Sequence, residues 1–206
     1  MTRYVYIVDD DRSALASVHS LMSLRPDQVV RGFPSGDRFL AEAASLQSGA
    51  LLLDHHMPGA TGLDVLDALG LYYPGKFAAI FLTGAPSVDL AVRALRAGAL
   101  DFIEKPYEAL VLFDAIDAAF SSLGRDGSAV ARRAAARTRI DGLSARERRI
   151  LQSLIEGCAN KVIANALDIS SRTVEICRAS LMTKLSVGTL SAALRVAHSA
   201  GMISRI

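Results

Sequence analysis

Five short apolar runs, each bounded by turn-forming residues, recur along the first 120 residues of the chain. Runs of this length are typical of buried strands. The segments between them carry apolar residues at helical spacing, for example Leu15, Val18 and Met22. Because parallel strands need long crossover connections, strand followed by helix five times predicts a five-stranded parallel sheet with helices on both faces, a doubly wound α/β fold. The runs span residues 4–8, 29–33, 50–53, 77–82 and 100–103.

Polar residues follow four of these runs. The carboxyl ends of parallel strands share one edge of a sheet, so we expect these side chains to gather there. Crowded carboxylates repel one another unless a cation holds them, and Mg²⁺ binds oxygen ligands of this kind. Asp54 is then a candidate nucleophile toward phosphorus, with Lys105 and Thr83 stabilising charge on the phosphoryl oxygens. The residues are Asp9, Asp10 and Asp11 after the first run, Asp54 after the third, Thr83 after the fourth and Lys105 after the fifth.

Each of these residues also has an ordinary structural interpretation when it is taken alone. Asp54 fits the cap of a turn before Pro58, Thr83 fits a strand-end hydroxyl, and Lys105 fits a surface charge. Their combination at one edge is what favours a phosphoryl-transfer site.

The charge of the chain changes sign along its length. Residues 1–120 contain 9 Lys and Arg against 15 Asp and Glu, a net charge of −6, whereas residues 121–206 contain 14 against 6, a net charge of +8. A basic module of this size is a candidate binder of a polyanion. Residues 121–141 are rich in Gly, Ser, Ala and Arg, which predicts a linker with some helical character between domains at residues 1–120 and 142–206.

Composition excludes several classes of protein. Apolar residues make up 51% and charged residues 21% of the 206 residues, which supports two small cores and is not typical of a disordered chain. No apolar run approaches the roughly 18 residues that cross a bilayer. We therefore expect no membrane anchor, no signal peptide and a cytoplasmic location, with Cys158 and Cys177 as free thiols.

The basic half has the pattern of a small helical domain. Ser144 and Glu147 form a capping-box sequence ahead of an apolar helix face. Asn160 is placed to cap a short helix of residues 161–167, and a three-residue turn then leads into a helix of residues 171–185. Two helices joined by so short a turn predict a helix-turn-helix, whose second helix enters the major groove of DNA.

A helical wheel separates two faces of this second helix. Val174, Leu181 and Leu185 lie within about 20° of one line and are expected to face the core. An exposed Ile176 suits contact with thymine methyl groups, although single exposed isoleucines also occur without a function. The face opposite the core carries Glu175, Ile176, Ala179, Ser180 and Thr183.

The motifs of the first 120 residues resemble those of the receiver domain of two-component response regulators. They are Val8-Asp9-Asp10, Leu53-Asp54-His55-His56-Met57-Pro58-Gly59, Leu82-Thr83-Gly84 and Asp101-Phe102-Ile103-Glu104-Lys105-Pro106. The resemblance implies the flavodoxin-like receiver fold and phosphorylation of Asp54 by a histidine kinase. It also implies that Thr83 and Phe102 act as switch residues and that Lys105 contacts the phosphoryl group. The implied ligands of Mg²⁺ are Asp9, Asp10, Asp54 and the backbone carbonyl of His56.

Two features depart from the usual receiver pattern. His55 and His56 directly follow the expected phosphorylation site, and we expect both to be loop side chains, since the pair lacks the further ligands of a zinc site. The alternative is that His56 lies beside the phosphoryl group and affects its hydrolysis. Three successive aspartates leave the register of the metal ligands open by one residue, and we expect Asp11 to cap the first helix rather than bind the metal.

The basic half resembles the LuxR-type helix-turn-helix, and the two halves together resemble a NarL/FixJ-type response regulator. The strings that carry the resemblance include Leu143-Ser144-Ala145-Arg146-Glu147, Asn160-Lys161-Val162-Ile163-Ala164, Thr173-Val174-Glu175 and Met182-Thr183-Lys184-Leu185. Cys177 stands where the family usually has histidine, and this change either removes a polar or phosphate contact or is a packing substitution. Redox sensing is the less favoured interpretation. The residues expected to contact promoter DNA are Lys161, Arg172, Thr173, Glu175, Ile176, Arg178, Ala179, Thr183 and Lys184.

The favoured interpretation is a transcription regulator and not an enzyme. Phosphorylation is expected to control homodimerisation and promoter binding, and RNA polymerase is a further expected partner. We expect the acidic half to cover the DNA-binding face of the basic half at rest, and the last helix offers Leu190, Leu194 and Ala197 as a dimer face.

Two alternative functions are compatible with parts of the sequence. One is an Mg²⁺-dependent phosphatase or hydrolase with a basic targeting module, although such enzymes usually place a second aspartate where His56 stands. The other is a receiver that docks without being phosphorylated. The complete set of Asp10, Asp54, Thr83 and Lys105 argues against the second alternative.

Overall fold

The computed structural model describes residues 2–123 and 126–203. Contacts divide the chain into two units, one of Met1–Pro86 with Ala97–Ser128 and the other of Ser87–Arg96 with Ala129–Ile206. Within the described part of the chain, no helix is both long enough and apolar enough to cross a membrane.

Five parallel strands form one sheet in the order β2-β1-β3-β4-β5, which confirms the predicted doubly wound fold. The central strand β3 is buried along its whole length, as expected for a strand covered on both faces. The strands are β1 (Arg3–Val8), β2 (Gln28–Phe33), β3 (Gly49–Asp54), β4 (Phe77–Thr83) and β5 (Asp101–Glu104). The helices that follow them are α1 (Arg12–Met22), α2 (Gly36–Glu42), α3 (Gly62–Tyr72), α4 (Val88–Arg96) and α5 (Ala109–Leu123).

Both faces of the sheet are packed. On one face, Val5 and Ile7 of β1 belong to an apolar cluster with residues of α1 and α5. On the other face, aromatic rings contact one another at centroid distances between 5.3 and 6.3 Å; the rings are Tyr6, Phe33, Phe39 and Phe77. These layers fix the strands and hence the positions of the residues at their carboxyl ends.

The register of the strands brings the predicted polar residues together. Val8 of β1 pairs with Leu53 of β3, so the next residues along the two strands, Asp9 and Asp54, lie at the same edge of the sheet. Thr83 ends the neighbouring strand β4 at this edge. Sequence-distant carboxylates are therefore neighbours in space.

Five further helices, joined by short turns, lie between residues 126 and 203. Ser144 and Glu147 make the predicted capping box, with both reciprocal hydrogen bonds present. The turn between α8 (Asn160–Leu167) and α9 (Ser171–Leu185) contains Asp168 in the left-handed region at φ 52°, and α9 has the predicted bounds. The helices are α6 (Asp126–Asp141), α7 (Ala145–Ile155), α8 (Asn160–Leu167), α9 (Ser171–Leu185) and α10 (Leu190–Ala200).

The core of the helix-turn-helix confirms the predicted inner face of α9. Val174 packs in one apolar cluster with residues of α7 and α8, and Leu181 and Leu185 are also fully buried. Cys158 and Cys177 are free thiols, and both pack against the same cluster from partly buried positions. The packing supports the interpretation of Cys177 as a packing substitution.

Two predictions about the ends and faces of helices are wrong. Ala159, not Asn160, is the N-cap of α8, and Asn160 is the first residue inside the helix. The expected dimer face of α10 is already covered, because Leu194 and Ala197 are 1% and 0% exposed and Leu190 packs against the core cluster. An apolar stripe on a wheel does not distinguish a face that packs within the chain from one that meets a partner.

The predicted linker contains a long helix, α6, which spans Asp126–Asp141. Its side chains Ala136 and Ile140 are buried. Arg139 and Arg137 donate hydrogen bonds to backbone carbonyls at the ends of α9 and α10, at 3.4 and 3.5 Å. Helix ends leave such carbonyls unsatisfied, so these arginines attach the second half of α6 to the helix-turn-helix.

Candidate functional site

A lysine bridges two buried carboxylates at the carboxyl edge of the sheet. Lys105 Nζ lies 2.7 Å from Oδ2 of Asp9 and 2.5 Å from Oδ1 of Asp54. The two aspartates are only 4% and 6% exposed. Their other oxygens accept backbone N–H groups, at 2.9 Å from Asp11 and 2.7 Å from His56. Lys105 thus contacts both Asp9 and Asp54, as expected from the prediction that the three residues lie at one edge.

The ammonium of Lys105 is held in its charged form. Burial disfavours that form, but the hydrogen bonds and charges of Asp54 and Asp9 outweigh burial and raise the pKa of Lys105 above its usual value. One ammonium against two carboxylates leaves this pocket with a net negative charge when both acids are ionised. The pocket therefore still favours a further cation.

The donor set fits magnesium. Asp9 and Asp54 supply carboxylate oxygens that meet at Lys105, and Asp10, which follows Asp9 directly in the chain, is exposed. Mg²⁺ needs only one or two protein carboxylates and completes its shell with water and phosphate. Within residues 2–123 and 126–203, no three His, Cys, Asp or Glu side chains are grouped closely enough to hold a metal ion.

The loop after Asp54 carries the two histidines. The His56 side chain is exposed, whereas the His55 ring packs 5.3 Å from Phe81 and 4.4 Å from the His56 ring. Asp11 caps α1 as predicted, since its side chain accepts the backbone N–H of Ser13.

The two expected switch residues are buried beside this edge. Thr83 is 0% exposed, and its Oγ1 accepts the backbone N–H of Ala85 at 3.2 Å. Phe102 is 3% exposed and stacks on Phe81 with centroids 5.9 Å apart. Both side chains therefore occupy well-packed positions in this state.

Two residues near the site have no counterpart in the sequence prediction. Tyr107 is half-buried, and burial together with the charges of Asp9 and Asp54 raises its pKa against the opposing effect of Lys105. Gly62 begins α3 so close to β3 that an added Cβ would lie 2.5 Å from the carbonyl oxygen of Asp54. The position of Tyr107 two residues after Lys105 is a sequence signal that could have identified it. The close approach of the backbone at Gly62 has no such signal in the sequence.

The outward face of α9 is partly as predicted. Glu175, Ala179 and Thr183 are exposed, and Ile176 is 59% exposed. Arg172 is also exposed and lies 3.3 Å from the carboxylate of Glu175. On α8, Lys161 is exposed next to Val162, which is 54% exposed.

The other expected DNA contacts on α9 bond to the domain itself. Arg178 Nη1 donates to Oδ1 of Asn160 at 2.6 Å, and Thr173 bonds to the N-cap Ser170. Lys184 Nζ donates to the carboxylate of Glu147 at 2.7 Å. Ser180, predicted on the outward face, is half-buried and also donates to Glu147. The outward-face prediction is therefore wrong for Ser180, because a buried acceptor on α7 draws its hydroxyl inward.

Both halves of the chain match known families. Residues 5–117 match the response regulator receiver domain, and residues 141–197 match the luxR family of bacterial regulatory proteins. The transcriptional regulatory protein FixJ of Rhizobium meliloti is 38% identical over 202 residues, which cover 98% of this chain and 98% of that protein. FixJ of Azorhizobium caulinodans is 37% identical over 198 residues, which cover 96% of this chain and 93% of that protein.

The comparison of structures agrees with the comparison of sequences. The crystal structure of full-length FixJ from B. japonicum matches with a TM-score of 0.58 and 34% identity, covering 99% of this chain and 100% of that one. These matches give no support to the phosphatase alternative. The chain therefore belongs to the NarL/FixJ-type two-component response regulators, which are phosphorylation-dependent, DNA-binding transcription regulators.

Proposed function

We propose that Asp54 is the residue phosphorylated in this regulator and that a histidine kinase is the donor. The observation that carries the proposal is the bridge of Lys105 between Asp9 and Asp54. A buried carboxylate beside a fixed ammonium is arranged for attack on phosphorus, because the ammonium compensates charge on the phosphoryl oxygens.

In the proposed reaction, an Asp54 carboxylate oxygen forms a bond to phosphorus while the leaving group departs with the electron pair of its own bond. Lys105 then donates to a phosphoryl oxygen. Asp9, Asp10, Asp54 and the backbone carbonyl of His56 would hold Mg²⁺, which would compensate charge on the phosphoryl oxygens. The Thr83 hydroxyl donates a hydrogen bond to a phosphoryl oxygen, since a hydroxyl oxygen that accepts one hydrogen bond can still donate another.

In the proposed mechanism, phosphorylation changes DNA binding through the switch residues Thr83 and Phe102. Movement of Thr83 toward the phosphoryl group opens space for Phe102, and this change favours homodimers that bind two adjacent sites on promoter DNA in the cytoplasm. In the DNA complex, Glu175, Ile176 and Ala179 meet base edges, and basic side chains meet phosphates. RNA polymerase is the proposed partner at the promoter.

The site of phosphorylation is tested by intact-mass measurement after incubation with acetyl phosphate and Mg²⁺. The wild-type chain should gain the mass of one phosphoryl group, and Asp54→Asn should gain none. Asp67→Asn, which removes an exposed aspartate from α3, should label like the wild type. Normal labelling of Asp54→Asn would overturn the assignment.

A further inference from the structure

One hydrogen bond joins the start of α8 to the middle of α9. Arg178 Nη1 donates to Oδ1 of Asn160 at 2.6 Å, across 18 residues of sequence, and both side chains are partly buried. Asn160 has no capping role, because Ala159 is the N-cap and α8 begins without a side-chain cap. The amide oxygen of Asn160 therefore serves Arg178 and not its own helix.

This bond fixes more than one atom of Arg178. A guanidinium is planar and carries five N–H donors, so holding Nη1 also sets the direction of the other donors. In the described part of the chain, the acceptor that holds Nη1 of Arg178 is Oδ1 of Asn160. The remaining donors are thus oriented before any ligand arrives.

The position of Arg178 on α9 indicates which part of DNA it meets. At about 100° per residue, Arg178 lies some 40° from the buried Val174, whereas Ile176 and Thr183 point away from the core. When a recognition helix lies in the major groove, its outermost face meets base edges and its flanks approach the sugar-phosphate backbone. Arg178 lies between the core and the outward face, on the side of α9 that faces α8, and is partly buried there.

We propose that Asn160 is a positioning residue for DNA binding, which holds the Arg178 guanidinium in the direction of one backbone phosphate. The inference rests on the proposed insertion of α9 into the major groove. A phosphate contact of this kind contributes to the affinity for every sequence and to the orientation of the domain on DNA, and it does not select bases.

The test uses the full-length phosphorylated chain and two duplexes, one enriched from a randomised library by the wild-type protein and one with the same bases scrambled. Asn160→Ala should weaken binding to both duplexes alike, by roughly fivefold, and reduce the salt slope by about 0.9, the value for one phosphate contact. Arg178→Ala should do the same, and the double variant should lose no more than Arg178→Ala alone. If the bond between Asn160 and Arg178 only stabilised the domain, Asn160→Ala would lower the free energy of unfolding and leave the salt slope unchanged.

Matched variants keep the result interpretable. Asn160→Leu has nearly the shape of asparagine without its acceptor and should reproduce Asn160→Ala, whereas Asn165→Ala removes an exposed asparagine from the same helix and should leave the salt slope unchanged. Additive losses in the double variant, or a loss confined to the enriched duplex, would overturn the proposal. Failure of the wild type to enrich any duplex would instead contradict the proposed function.

Discussion

Lys184 of α9 forms an ion pair at 2.7 Å with Glu147 of α7, whose carboxylate is almost completely buried. Ser180, one turn earlier on α9, donates to the other oxygen of the same carboxylate. Burial favours the neutral acid, but the hydrogen bonds from Lys184, Ser180 and Ser144 outweigh burial and lower the pKa of Glu147 to about 2. Glu147 thus both caps its own helix and anchors the recognition helix.

The first prediction concerns stability and its dependence on pH. Because the folded pKa of Glu147 is depressed below its ordinary value of 4.5, its contribution is complete above pH 4.5 and is lost as the pH falls toward about 2. Glu147→Gln should lower the unfolding free energy of the helical domain by about 2 kcal/mol at neutral pH and by less at pH 3.

The two domains can be followed separately in this measurement. All five tyrosines lie between residues 4 and 107 and the chain has no tryptophan, so tyrosine fluorescence reports the receiver, while circular dichroism reports both domains. Glu156→Gln, which changes an exposed glutamate at the end of α7, is the control. An equal loss of stability at pH 7 and pH 3 would count against the role of the Glu147 carboxylate.

The second prediction concerns the ammonium of Lys105 at the proposed phosphorylation site. Lys105→Gln should slow labelling by acetyl phosphate roughly tenfold, because the neutral amide cannot compensate charge on the phosphoryl oxygens. Arg93→Gln, which removes an exposed positive charge from α4, should label at the wild-type rate. Labelling of Lys105→Gln at the wild-type rate would exclude Lys105 from the reaction.

The third prediction concerns base recognition by Ile176. If its side chain meets a thymine methyl group, replacing that thymine by uracil should weaken binding by the wild type about threefold, since only the methyl group is lost. Ile176→Ala should bind the two duplexes equally. Val162→Ala, a similar truncation on α8, should keep the preference for thymine, and a preference that survives in Ile176→Ala would refute the contact.

The fourth prediction concerns inhibition at rest. Residues 1–120 carry a net charge of −6 and residues 121–206 a net charge of +8, so the separated basic part should bind DNA more tightly than the unphosphorylated chain. The fragment should begin at residue 121, because α6 contributes buried side chains to the helical domain. Equal DNA affinities of the fragment and the unphosphorylated chain in the same titration would contradict the prediction that the acidic half inhibits DNA binding at rest.

Regular patterns of apolar and polar residues in the sequence were sufficient to predict most of the fold. The apolar runs predicted all five strands. Four of the strands bury a continuous segment, whereas β2 at the edge of the sheet buries only its two end residues. The order of polar residues placed Asp9, Asp54 and Lys105 at one edge because parallel strands align their carboxyl ends. The capping box of Ser144 and Glu147 was predictable because it is a local arrangement of residues three apart.

Contacts between distant residues were not predictable in this way. Asn160 looked like a cap because nothing local reveals that Arg178 is its partner. Ser180 looked exposed on a wheel because the acceptor that draws it inward lies on another helix, at Glu147. The helix α6 packs through Ala136 and Ile140 and through arginines that bond to backbone carbonyls, a pattern that hydrophobic periodicity does not detect.

The central claim, that phosphorylation of Asp54 controls DNA binding, is tested by measuring affinity for the enriched duplex as a function of the phosphorylated fraction. In the wild type, affinity and the dimer fraction in sedimentation should rise together with that fraction, while Asp54→Asn treated with the same acetyl phosphate and Mg²⁺ should keep its resting affinity and remain monomeric. An affinity that does not change with the phosphorylated fraction, or that rises equally in Asp54→Asn, would contradict the account.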